Sequence, residues 1–210
     1  MLAAPLLVLG LTRVGVEISI RLSPPIVSWI PAFIGYYLAI GLMLYIAKRY
    51  FEIPITQNLS LSFKPYPRFN VLFWTIVIPA LLPLTGFITQ LKFVPLEFLF
   101  YIFIFACINP FFEEFFWRGL LSHLPGNNTF RLCYSAGLFS FSHYFFWSYW
   151  FKYPIIIIPT LVATFIMGML WMRFIQKEKN IIYPIVSHIV VDILNLSVAV
   201  YCGFIRPEHF

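Results

Sequence analysis

The sequence predicts an all-α fold: a polytopic transmembrane helix bundle of about seven spans (six to eight), forming one membrane domain over residues 1–210. Three observations carry this expectation. Hydrophobic residues make up 61% of the chain, with a mean hydropathy of +0.87. Charged residues make up only 10%, against about 25% in soluble domains. The apolar residues fall into runs of about 20, the length that crosses a bilayer as a helix, separated by connections rich in proline or charge. Membrane lipid is therefore an expected partner. The net charge of +6 fits a bias of basic residues in cytoplasmic loops. No basic patch with interleaved aromatics points to nucleic acid.

The first apolar segment, residues 2–20, is interrupted by Arg13 and Glu17, an i,i+4 pair able to neutralise each other. It lacks a basic leader region and a small-residue cleavage site, so it does not read as a signal peptide. Ser23-Pro24-Pro25 ends it, and a second span runs from about Ile26 to Ala47. Lys48 to Asn70 is the only long polar connection. The third span covers about Val71–Leu91, with Pro79 and Pro83 as expected kinks. The fourth covers about Leu96–Leu121. Pro125-Gly126-Asn127-Asn128 is a turn signal. The fifth span is about Phe130–Trp150, the sixth Pro154–Ile175 and the seventh Ile181–Phe204. Cys107, Cys133 and Cys202 lie in apolar stretches without metal-like spacing and are expected to act as small hydrophobes.

Orientation follows from the basic residues. One side of a seven-span arrangement holds eight of them, Lys48, Arg49, Lys64, Arg68, Arg131, Arg173, Lys177 and Lys179. The other holds four, Arg21, Lys92, Lys152 and Arg206. The first side is expected to be cytoplasmic.

The spans carry polar groups that an apolar helix does not need. Asn109–His123 reads NPFFEEFFWRGLLSH and places Glu113, Glu114 and Arg118 inside the fourth span. Each charge costs about 2.5–3.5 kcal/mol at mid-membrane even on mild insertion scales. One such charge would snorkel to the interface; a Glu-Glu-x-x-x-Arg set calls for a function. Glu114 and Arg118 are i,i+4 neighbours, whereas Glu113 lies about 100° round the helix, less readily neutralised. The fifth span carries His143, and the seventh carries His188 and Asp192, again i,i+4. Counted from the inferred cytoplasmic ends, these groups share a band about 11–20 Å deep at 1.5 Å per residue. Convergence on one polar site is expected.

Several mechanisms are excluded. Asp192 is the only aspartate, so there is no aspartate dyad, and neither a Gly-x-Ser-x-Gly elbow nor a His-Glu-x-x-His zinc pair occurs. What remains is a carboxylate with histidines, suited to activating water and stabilising a tetrahedral oxyanion. The same two histidines and carboxylates also suit zinc.

Glu113-Glu114-x-x-x-Arg118, Phe139-x-x-x-His143 and His188-x-x-x-Asp192 resemble, in that order, the three motifs of the CAAX protease and bacteriocin-processing (CPBP, or Abi) family. That family includes the type II CAAX prenyl endopeptidases. The resemblance runs from about Phe111 to Asp192 and implies a catalytic core at about 96–205. It implies an intramembrane endopeptidase working near the cytosolic face of the cell membrane, without a cofactor. Its substrate would be a peptide or membrane protein, prenylated or not. Glu113 would activate water with help from His143; His188 and Asp192 would stabilise the oxyanion; Glu114 and Arg118 would support the site. Two departures stand out. Seven or six spans are expected where the prenyl endopeptidases have eight, and motif three ends in Asp192 where they have Asn. Asp192 either donates to the oxyanion as a protonated acid or, as preferred here, stays ionised and orients His188. Two other functions fit the sequence: a non-catalytic immunity or assembly factor of the same family, and an ion-coupled carrier. No internal repeat supports the carrier.

Overall fold

The computed structural model describes residues 2–23, 28–55, 59–63, 71–149 and 157–196. Every long element is a helix: α1 (Ala4–Leu22), α2 (Trp29–Tyr50), α3 (Val71–Leu81), α4 (Leu84–Gln90), α5 (Leu96–Glu113), α6 (Asn128–Trp147), α7 (Ile157–Glu178) and α8 (Ile182–Leu194). The chain is an integral membrane protein with a helical bundle fold, as expected. Four of the described segments are long and apolar enough to cross a membrane: Trp29–Tyr50, Leu72–Phe93, Leu96–His123 and Ile157–Glu178. The predicted Pro24-Pro25 break, Lys64, Arg68, Lys152, Cys202, Arg206 and the seventh span beyond residue 196 lie outside the described residues.

Polarity is distributed as a membrane requires. Large apolar side chains such as Leu38, Ile88, Phe103 and Ile158 face outward, while Glu113, Glu114, Arg118, His188 and Asp192 are buried. Backbone groups have no water to bond in lipid, so helices close their own hydrogen bonds and breaks must be repaired locally. The third span shows such a repair. Pro79 is accommodated within α3, and the chain breaks instead at Leu82–Pro83. The Leu82 N–H still donates to Ile78 O (3.1 Å), and the Phe87 N–H donates to Pro83 O (2.9 Å) to restart as α4.

The fourth span also departs from a plain α-helix. After Glu113 it widens into a π-helical turn, Glu114–Leu120, then tightens into a 3₁₀ turn, Leu121–His123. Such wide turns occur mostly as short insertions, frequently at functional sites. Gly119 sits in this turn where a Cβ would lie 3.2 Å from Ile55, so its lack of a side chain lets the segment after α2 lie close over it.

α6 starts where the turn signal places it. Asn127 Oδ1 accepts the Phe130 N–H (2.8 Å), and Gly126 has φ +111°, open to glycine without strain. α6 and α7 pack closely at Gly168, where a Cβ would stand 3.1 Å from the Ala136 Cα. Arg13 pairs with Glu17 (3.0 Å) as its spacing predicts, and also donates to Ser148 Oγ (3.1 Å), tying α1 to the end of α6. At the opposite end, Ser60 pairs with Asn180 in a parallel bridge: the Ser60 N–H donates to Lys179 O (2.7 Å) and the Ile181 N–H to Ser60 O (3.1 Å). Asn180 Nδ2 adds a bond to Ser62 O (2.9 Å). The long α2–α3 connection is thereby anchored to the α7–α8 turn.

Candidate active site

The end of α5 and its wide turn deliver the two glutamates in different directions. Glu114 turns towards α8 and its own helix, where Oε1 accepts from Arg118 Nη1 (3.0 Å) and from His188 Nδ1 (2.9 Å). Glu113 turns towards α2, where Oε1 accepts the Tyr36 hydroxyl (2.8 Å). Its Oε2 accepts Asn109 Nδ2 (3.3 Å) and stands 3.6 Å from His188 Nε2. The His188 ring thus lies between the two glutamates, one at each nitrogen. Asp192, one turn further along α8, is 3.7 Å from the same Nε2. Its close donor is Asn109 Nδ2, at 3.2 Å.

Sequence spacing predicted Asp192 as the residue that orients His188. The side chains favour Glu114, because a 2.9 Å contact is a hydrogen bond and 3.7 Å is not. A carboxylate oxygen only accepts, so Nδ1 is the donor and Nε2 is left facing Glu113 and Asp192. Arg118 and Glu114 are fully buried. The guanidinium lies 3.8 Å over the Phe139 ring and 5.2 Å from that of Trp171, an aromatic clamp that partly replaces lost hydration.

His143 does not reach ion-pair distance of Glu113. It is half-buried on α6, with Nδ1 donating to Phe139 O (2.9 Å) and Nε2 left free to accept. It nevertheless shares a small cavity with Glu113, Asp192, Asn109 and Tyr36. About 20 Å³ of that cavity admits the centre of a water molecule, room for about one water. On its other side, His143 joins His188 and Asp192 in the wall of a much larger apolar groove of about 820 Å³. That groove is bounded by Pro79 of α3, by Pro83 at the α3–α4 break and by α7 residues from Pro159 to Leu170.

The structure therefore brings together Glu113, Glu114, Arg118, His188 and Asp192, with His143 across the small cavity. Tyr36, Tyr37, Asn109 and Trp117 had no place in the sequence-derived site. Trp117 Nε1 donates to Tyr36 Oη (3.1 Å), and Tyr37 Oη donates to Asn109 Oδ1 (3.3 Å). Asn109 lies one helical turn before Glu113, and that spacing was the available signal. The α2 tyrosines carried none in a chain with 12 tyrosines. Among the described residues, no group of three or more His, Cys, Asp or Glu side chains has the arrangement to hold a metal ion.

The fold and site define a helical membrane protein with a buried carboxylate–imidazole centre. Residues 95–194, which carry nearly all of that centre, match the family model described as type II CAAX prenyl endopeptidase Rce1-like. Over these residues, a little under half of the chain, the protein is similar to that family, and the similarity points to a peptidase. No curated protein and no solved structure matches the chain.

Proposed function

We propose that the chain is an intramembrane endopeptidase in which Glu113 takes a proton from water as that water attacks a peptide carbonyl. The observation that carries this reading is the Glu113 carboxylate, held by Tyr36 and Asn109 at the edge of a cavity with room for about one water. A carboxylate so held is aimed before reaction, which removes reorganisation from the barrier. His143, tied through Nδ1 to a carbonyl, offers Nε2 as an acceptor to steady the same water. His188, tied through Nδ1 to Glu114, offers Nε2 as a donor to the oxyanion from its doubly protonated form, in which both ring nitrogens donate. Asp192 balances charge beside it. The proton held by Glu113 then goes to the departing amine, and the bond between carbonyl carbon and nitrogen breaks.

The large apolar groove supports a substrate that arrives from the bilayer as an extended apolar chain: a peptide or membrane-protein tail, prenylated or not. The basic-residue bias supports a cytosolic opening in the cell membrane. A metal-free site is the reading preferred over zinc. The oxygens of Glu113 and Glu114 nearest His188 already receive neutral and cationic donors, which a bound cation would have to displace.

Mass spectrometry of membrane peptides from cells with and without the protein tests the function. Cleavage should vanish in Glu113→Gln with the protein still folded, since an amide cannot take the proton. Wild-type turnover in that variant would remove Glu113 from the role of base. Metal analysis of active purified protein should find less than stoichiometric zinc; full zinc, with chelator inactivation reversed by added metal, would replace this mechanism.

A further inference from the structure

Asn109 joins the two carboxylates that face the proposed water. Its Nδ2 lies 3.3 Å from Glu113 Oε2 and 3.2 Å from Asp192 Oδ2, and its Oδ1 accepts from Tyr37 Oη at 3.3 Å. These partners fix the amide's orientation. Two carboxylates can only accept, and Tyr37 is placed to donate, so the NH₂ must point to the acids and the carbonyl to the phenol. The amide spends both hydrogens on groups from different helices, α5 and α8. Without it, two buried acids would face each other across a low-dielectric gap and be driven apart. Asn109 itself is buried, on the wall of the small cavity.

We propose that Asn109 is the positioning residue of this site: its amide clamps the Glu113 carboxylate to Asp192 and so sets where the attacking water sits, while Tyr37 holds the amide the right way round. This rests on the reading of Glu113 as the base. It also accounts for an aspartate at position 192. With an amide supplied from α5, an acceptor is what position 192 requires.

A reciprocal exchange tests the clamp in the full-length, detergent-solubilised chain, with a farnesylated peptide bearing a CAAX tail as the probe. Asn109→Asp replaces the donor by a third acid and is expected to lower kcat about 100-fold or more, the scale on which misplaced catalytic groups act. The double variant Asn109→Asp with Asp192→Asn again places one amide opposite one acid and should recover at least about tenfold of that loss. Tyr37→Phe, which removes one hydroxyl from an otherwise unchanged ring, should lower kcat several-fold with KM held. Thermal unfolding of the wild type and these three variants reads the clamp without any catalysis: Asn109→Asp should melt lower, and the added Asp192→Asn should return most of that shift. An Asn109→Asp protein with wild-type kcat, or a double variant no better than Asn109→Asp in both measurements, would overturn the clamp. Loss of cleavage in Asn109→Asp alongside an active Glu113→Gln protein would instead overturn the reading of Glu113 and leave the 109–192 pairing to be decided by the melting data.

Discussion

Glu113 and Glu114 are neighbours in sequence with opposite surroundings. Glu113 receives neutral donors, Tyr36 and Asn109, and borders a cavity; Glu114 is enclosed by Arg118 and His188. The Arg118 pair uses a single nitrogen, and Arg118 Nε and Nη2 and Glu114 Oε2 lack a hydrogen-bond partner among the described residues. A buried pair of this kind contributes little net stability, yet removing one partner strands the other charge, commonly costing about 3–5 kcal/mol. Glu114→Gln is therefore expected to reduce folded yield as well as activity, whereas Glu113→Gln should spare the fold. Size-exclusion profiles of the two variants measure the difference, and equal yields would contradict this division. The pairing of Glu114 with Arg118 was legible because i,i+4 spacing survives the wide turn. The attachment of His188 to Glu114 rather than Asp192 was not, because it depends on how α8 rotates against α5.

At the scale of elements, length and hydropathy located the helical segments among the described residues, though the third span is two helices, α3 and α4, since a run of about 20 apolar residues has few other structures open to it in lipid. Finer features were hidden by that same uniformity. In a segment apolar on all sides, no amphipathic stripe distinguishes a π turn from an α turn, so Glu114–Leu120 read as ordinary helix. Two prolines in the third span were equally good break points in the sequence, and the break falls at Leu82–Pro83. Where small residues let helices approach, substitution should be felt. Gly168 faces Ala136 backbone at 3.1 Å and Arg118 Nη2 at 3.3 Å from a built Cβ. Gly168→Val should push α7 off α6 and disturb the Arg118 clamp, a cost of about 1–3 kcal/mol for overpacking. A lowered melting temperature with reduced cleavage is the expected result; an unchanged melting temperature would show that the helices yield freely.

For the whole molecule, charge bias predicts which face meets the cytosol. Lys179 lies in the α7–α8 turn with φ +51°, beside the Ser60–Asn180 bridge. In a background without Cys107, Cys133 and Cys202, Lys179→Cys should react with a membrane-impermeant maleimide in inverted vesicles and not in intact cells. The opposite pattern would reverse the orientation.

The small cavity has a consequence for the directions of approach to the site. It is a narrow, partly open recess beside Glu113, small enough for the residues around it to hold a water. His143 and Asp192 form a wall common to this recess and the apolar groove, so on the proposed reading water and substrate would approach the same side chains from different sides. A change at His143 or Asp192 would then be felt on both approaches at once.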